Sequence, residues 1–191
     1  MIGKRFKDIA KKHLSTVGTI NPSSRFLVDR VVSYIRGKNI VEWGAGNGCV
    51  TRGILDYLYE NHPDDGHLTA FELLNEFIPF LEDLKRVRNG SRLTVVNDDA
   101  AKLEAYVSDC DCLVSGLPLA IIRRKSKDKY EALLEQASRV PLFIQFQYNF
   151  ISRNRYRKYF SDVRLRPEFR NFPPAYIYVC SNNSRAAPEI R

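Results

Sequence analysis

A run of glycines set between an apolar strand and a helix constrains this chain more than any other feature. Asn39 to Trp43 (NIVEW) reads as a short buried strand and Cys49 to Asn61 (CVTRGILDYLYEN) as a helix; Gly44-Ala45-Gly46-Asn47-Gly48 joins them. Glycine lets a backbone turn tightly and approach a ligand that a Cβ would repel. In an open α/β sheet such a turn lies at the carboxyl end of a strand, where ligands bind. The spacing is G-x-G-x-G, not the G-x-G-x-x-G of dinucleotide folds. Taken alone, it describes a connecting turn as well as it describes a binding loop.

The remaining residues repeat the strand-then-helix order. Residues 4–17 place Phe6, Ile9, Ala10, Leu14 and Val17 at helical spacing among lysines. Ser24 is a natural N-cap for a helix running to about Arg36. Further strands are expected at His67 to Leu73, Arg92 to Asn97, Asp111 to Ser115 and Pro141 to Tyr148. Helices are expected at Asn75 to Arg88, Lys127 to Arg139 and Asn154 to Phe160. A closing strand pair, Val163 to Phe169 and Ala175 to Cys180, makes seven strands, and the last eleven residues read as frayed. The expectation is α/β: one doubly wound, mainly parallel seven-stranded sheet over residues 21–185, preceded by a basic amphipathic helix in residues 1–20.

Carboxylates at successive strand ends give the glycine turn chemical context. Glu42 lies one residue from the end of the first strand, beneath the turn. Glu72 closes the second, where an acid can accept both hydroxyls of a ribose. Asp98-Asp99-Ala100 follows the third, where a carboxylate can accept from an adenine amino group. Each acid alone is as well explained as a solvated strand end or a helix cap. Together they describe a cofactor with a nucleoside and a positive end. S-adenosylmethionine fits, having a ribose, an adenine and a sulfonium but no phosphate.

Charge placement agrees. The net charge of +8 divides into +7 over residues 1–39, −8 over 40–122, +8 over 123–170 and +1 over the remainder. A protein that merely coats nucleic acid has no need of an acidic centre. No apolar run approaches the roughly 20 residues of a membrane-spanning helix, and the N-terminus has no secretory apolar core. Four cysteines do not make a disulfide scaffold at this length, and His13, His62 and His67 supply no zinc-type pair to Cys110 and Cys112; no metal is expected.

The sequence resembles the class I S-adenosylmethionine-dependent methyltransferases. More narrowly, it resembles the bacterial phospholipid N-methyltransferases, which methylate phosphatidylethanolamine toward phosphatidylcholine. The resemblance runs in order over about residues 15–180. It is carried by Val17 to Arg25 (VGTINPSSR), the glycine turn, Asp98-Asp99-Ala100, Ser115 to Leu119 (SGLPL), Gln145 to Tyr148 (QFQY) and Asn171 to Ala175 (NFPPA). It implies that Glu42, Gly44, Gly46 and Gly48 hold the methionine part of the cofactor, Glu72 the ribose and Asp99 the adenine. Leu73, Asp98, Ala100, Ser115, Ser23 and Ser24 complete the cofactor side. Trp43, Ala45 and Asn47 stand where Leu or Ile, Pro and Thr are commoner, and Asn97-Asp98-Asp99 replaces a Gly-Asp pair.

The acceptor loop bears on what is methylated. Methyltransferases of base amino groups tend to carry Asn or Asp, then x-Pro, then an aromatic, to polarise the amine and stack the flipped base. Here Gly116, Leu117, Pro118 and Leu119 offer neither amide nor ring. A small aliphatic amine needs neither, and backbone carbonyls at Ser115 to Leu117 suit it. Tyr148 is the first candidate for the proton acceptor and for an aromatic face toward a methylated cation, ahead of Trp43 and Tyr176. Core packing explains each of these rings as well. The expected protein is cytoplasmic, peripheral to the inner face of the membrane, and takes an aminophospholipid. The N-terminal helix suits an anionic membrane surface and, equally, a cover for the cofactor pocket. Arg123-Arg124-Lys125 and Arg153 to Lys158 are candidate lipid-phosphate contacts or plain solvated faces. Other amines stay open: a soluble small molecule, an ornithine-type aminolipid or an RNA adenine. So does a non-catalytic lipid-binding module. Oligomeric state is left open.

Overall fold

The computed structural model of the chain describes residues 8–9, 11–13, 22–87, 90–148 and 153–182. Seven strands form one sheet: β1 (Asn39–Trp43), β2 (His67–Phe71), β3 (Leu93–Val96), β4 (Cys112–Ser115), β5 (Leu142–Gln147), β6 (Asp162–Glu168) and β7 (Ala175–Ser181). Their order is β3-β2-β1-β4-β5-β7-β6. The pairs among β1 to β5 are parallel, and β7 runs antiparallel to both β5 and β6. The doubly wound sheet expected from the sequence is the one observed. The chain reverses direction across the sheet between β1 and β4, which makes the crevice beyond these two strands the natural ligand position.

Alternating side chains build a core on each face. Ile40 joins Leu27, Val31, Ile54, Leu58 and Leu81, from helices α1 (Arg25–Val32), α2 (Cys49–Asn61) and α3 (Ile78–Val87). Val41 and Trp43 join Leu103, Leu119, Tyr130 and Leu134 on the other face. These come from the 3-10 turn η1 (Ala100–Ala105) and helices α4 (Leu119–Lys125) and α5 (Lys127–Ser138). A four-residue helix, α6 (Arg153–Tyr156), precedes the edge strand β6. That edge carries Arg164, Arg166 and Pro167, residue types that discourage pairing with another chain.

Several boundaries differ from expectation for local reasons. The helix begun at Ser24 ends at Val32, where the Ser33 hydroxyl donates to the Arg30 carbonyl at 2.7 Å. β2 stops at Phe71 because Glu72 turns its carboxylate to the amides of the following loop. The turn η1 and the helix α4 were not expected. Of the expected N-terminal helix, residues 8–9 and 11–12 are helical and His13 is a turn; the rest of residues 1–20, and all beyond 182, lie outside the described residues.

The turn into β1 is tight. Gly37 has φ +89°, and Asp111 accepts from the Lys38 and Asn39 amides at 2.9 Å each. A Cβ on Gly37 would collide with the Asp111 side chain. Gly37→Ala is therefore expected to lower stability by about 2 kcal/mol, combining positive-φ strain with overpacking. A urea melt showing no loss would contradict this description of the turn.

Candidate active site

The three glycines of the β1–α2 turn adopt positive φ: +76° at Gly44, +56° at Gly46 and +78° at Gly48. The Gly44 and Ala45 amides both donate to the Phe71 carbonyl, at 2.9 and 3.0 Å, which folds the turn across the end of β2. Glu72, 6% exposed, then fastens it. One carboxylate oxygen accepts from Gly46 N at 2.7 Å and the other from Leu74 N at 2.8 Å. Burial pushes the Glu72 carboxyl up, and the amides of Leu74 and Gly46 oppose the rise. Asn97 Nδ2 donates to the Glu72 carbonyl at 2.9 Å and holds the same loop from β3.

These loops enclose a cavity of about 260 Å³. Of the residues expected to hold a cofactor, Gly44, Gly46, Glu72 and Leu73 line it, as do Asp98, Asp99 and Ala100. Gly116, Leu117 and Pro118, the loop expected to face the acceptor, line it too. The cavity thus joins the glycine turn, the ends of β2 and β3 and the loop after β4. A Cβ on Gly44 would come within 3.1 Å of Leu117 Cδ2, and one on Gly116 within 2.8 Å of Phe146 Cζ and 3.3 Å of the Gly44 carbonyl. Glycine at both positions lets the two loops close on each other.

Other expected site residues stand outside the cavity wall. Gly48 is the N-cap of α2. Glu42, 2% exposed, lies behind the turn, where its carboxylate accepts from the Thr51 hydroxyl at 2.6 Å. Ser115 is fully buried, and its hydroxyl accepts from Leu117 N at 3.3 Å. Ser24 caps α1, accepting from Leu27 N at 3.2 Å, and its own amide donates to Asn171 Oδ1 at 2.9 Å. Ser23 precedes it in the same segment. The PSSR and NFPPA stretches thus meet each other, and neither serine lines the cavity. Trp43 is fully buried against Phe143, with ring centroids 6.4 Å apart, so it presents no face to an acceptor. Tyr148 is half-buried just past β5 and packs against the core on the α1 side.

The acid pair at the β3 end is already engaged. Asp98 accepts from the Tyr106 hydroxyl at 2.7 Å and pairs with Lys102, which together hold its carboxyl down at about 2. Burial works to raise Asp99, but the Lys129 ammonium and the Ala101 amide outweigh it and leave it lowered. Lys129, Lys125 and Phe77 also line the cavity; the sequence marks Lys125 only as a candidate lipid contact and neither of the others as a site residue. Lys129 was legible only as a polar position on α5, and Phe77 as one more apolar residue before α3. Ile9 packs against Phe77, and His13 Nε2 lies 2.9 Å from Glu76 Oε1, so the described N-terminal residues rest beside this wall.

The residues present fit S-adenosylmethionine. Glu42 and Glu72 sit beneath and beside the glycine turn, held by a neutral hydroxyl and by amides, which suits a positively charged ligand end. Asp98 and Asp99, expected from the sequence to meet the nucleoside, line the same cavity.

No protein-family model matches the sequence. A curated relative, an ornithine lipid N-methyltransferase from Singulisphaera acidiphila, is 29% identical over 189 residues, covering 94% of this chain and 93% of that one. Among solved structures, precorrin-6y C5,15-methyltransferase from Geobacter metallireducens matches with a TM-score of 0.61 at 14% identity, over 82% of this chain and 88% of that one. An rRNA methylase from Streptococcus thermophilus matches with a TM-score of 0.54 at 14% identity, over 82% and 94%. The fold is that of the class I methyltransferases.

Glu42 yields a test of the electrostatics. Burial moves its carboxyl from an ordinary 4.5 up to about 7; the Thr51 bond opposes the rise and the Glu72 charge adds to it. Between those values the folded chain keeps a proton that the unfolded chain has released, so stability falls as pH rises through that window. Glu42→Gln keeps an acceptor for Thr51 and removes the titration. Its melting temperature is expected to gain on the parent's as pH rises from 4.5 to 7; parallel curves would show that Glu42 is not held up.

Proposed function

We propose that this S-adenosylmethionine-dependent methyltransferase acts on the nitrogen of a lipid-borne amine. The observation that carries the reading is the acceptor wall. Gly116, Leu117 and Pro118 close on Gly44 and present neither the amide nor the ring that a flipped base needs. The curated relative supports a lipid amine, since it is named for N-methylation of ornithine lipid and spans nearly the same length. That support favours an ornithine-type headgroup over phosphatidylethanolamine, which rests on the sequence resemblance alone. The acceptor is proposed to be an aminolipid of either type, reached at a membrane surface. No helix among the described residues is long and apolar enough to cross a membrane.

When bound, S-adenosylmethionine supplies an electrophilic methyl group on its sulfonium. The chain's own part is alignment, which removes much of the entropic barrier to a displacement between two bound partners. The acceptor loop is built for rigidity. Gly116 N donates to the Trp43 carbonyl at 2.9 Å, and the Leu117 carbonyl accepts from Gln145 Nε2 at 3.0 Å and Leu119 N at 2.8 Å. Because the Leu117 carbonyl is spent on these bonds, the amine is proposed to be held at Gly116. The amine must be neutral to attack. Tyr148, one residue past β5 at the same end of the sheet, is proposed to take its proton through a water.

The decisive experiment is methyl transfer from labelled S-adenosylmethionine across ornithine lipid, phosphatidylethanolamine, a soluble amine and ribosomal RNA, with products read by mass. Label on a lipid nitrogen is expected. Label on RNA, or on the soluble amine alone, would overturn the reading. Gly116→Ala places a Cβ against Phe146 and the Gly44 carbonyl. It is expected to cut turnover about tenfold or more through misalignment, with cofactor affinity kept. Unchanged turnover would remove Gly116 from the reacting surface.

A further inference from the structure

We infer that the end of the molecule where the cavity opens is a docking face for an anionic lipid bilayer, with Phe169 and Phe172 as its anchors. The inference deepens the lipid-amine reading and rests on it for the choice of partner. Among the described residues, six large apolar side chains are well exposed: Phe26, Leu73, Val87, Tyr106, Phe169 and Phe172. All but Val87 lie at one end. The register sets this. β6 runs parallel to β5, and β7 opposite, so the turn between Glu168 and Ala175 falls beside Gln147, at the carboxyl ends of β1 to β5. Phe169 and Phe172 stand on that turn, 70% and 82% exposed.

Phe26 belongs to the same surface. The Ser24 amide joins Asn171, and the Arg170 guanidinium lies 4.5 Å from the Phe26 ring centroid. Leu73 lines the cavity, and the Tyr106 ring meets Phe71, the last residue of β2, at 5.7 Å. A soluble surface has no reason to collect its exposed rings around one opening. Aromatic rings that sit at the headgroup level of a bilayer do have one.

Charge complementarity selects an anionic bilayer. Arg123 and Arg124 are exposed in the last turn of α4, next to Lys125 at the cavity wall, and Arg170 stands between the two anchors in sequence. Glu168 pairs with Arg170 and Arg30, and Asp29 with Arg25, so part of this positive charge is offset within the face. The Arg123–Lys125 run adds three cations to the helix end that brings Lys125 to the cavity wall. Basic groups beside apolar anchors bind anionic lipid together more firmly than either does alone.

The test is co-sedimentation of the full chain with vesicles of phosphatidylcholine alone, or of phosphatidylcholine mixed with phosphatidylglycerol. The wild type is expected to bind the mixed vesicles. Phe169→Ser/Phe172→Ser should lower that partition about tenfold, with melting temperature and the heat of cofactor binding kept. Arg123→Gln/Arg124→Gln should reduce the preference for the anionic vesicles. Should the serine pair fold poorly, Phe172→Trp serves: its emission should shift to the blue on mixed vesicles, over the unchanging signal of the buried Trp43. Wild-type partition by the serine pair, no Trp shift, or a loss of self-association in place of vesicle binding would each overturn the inference. Vesicle binding without methylation of any lipid amine would keep the face and discard the acceptor. Lipid methylation on vesicles at an unchanged rate by the serine pair would keep the acceptor and discard the face.

Discussion

The Glu72 carboxylate is the interaction on which the site depends. It is almost fully buried, and both its oxygens accept amide protons, one from Gly46 and one from Leu74. A buried carboxylate is costly unless its lone pairs are satisfied, and two backbone donors offset much of that cost. The geometry that satisfies Glu72 also sets the functional shape. It draws the glycine turn across the end of β2 and bends the chain after Phe71 away from the sheet. The cavity is the space left between those two movements and the loop after β4. Positive φ at Gly44 and Gly46 is what lets the turn reach the carboxylate.

Two kinds of acid share the negative middle of the chain, and their partners differ. Asp98 and Asp99 are paired with Lys102 and Lys129 and stay ionised. Glu42 and Glu72 are held by a hydroxyl and by amides, and burial raises both. The protein gives neither of them a cation, and burial holds each toward its protonated form. A ligand bringing a sulfonium and an ammonium beside the glycine turn would draw them toward the ionised form, and a phosphate there would gain nothing from them. The charge pattern thus discriminates between cofactors that share a nucleoside, which the fold alone does not do.

Much of this was legible in the sequence because the signals were local. Ranges such as Asn39–Trp43 and Cys49–Asn61 follow from apolar periodicity bounded by glycine, and the sheet class follows from their alternation. The glycines and acids at strand ends were found because topology places all carboxyl ends of parallel strands together. What escaped was set by contacts distant in sequence. The Ser24 amide meets Asn171, a partner far along the chain. Lys129 reaches Asp99 from a helix thirty residues on. Trp43 sits next to the glycine turn in sequence, yet strand alternation turns it into the opposite core. Helix α4 is short and follows Pro118 directly, so periodicity had too few turns in which to show it.

The central claim is that the cavity between the glycine turn and the acceptor loop binds S-adenosylmethionine through this arrangement of uncompensated and paired acids. Calorimetric titration of the wild-type chain with S-adenosylmethionine, and with the neutral thioether left after methyl loss, tests it most directly. The account predicts saturable one-to-one binding of both, with the sulfonium form bound at least as tightly because Glu72 lines the cavity and Glu42 lies behind the glycine turn. Absence of binding, or clear preference for a phosphate-bearing dinucleotide in the same cell, would contradict it.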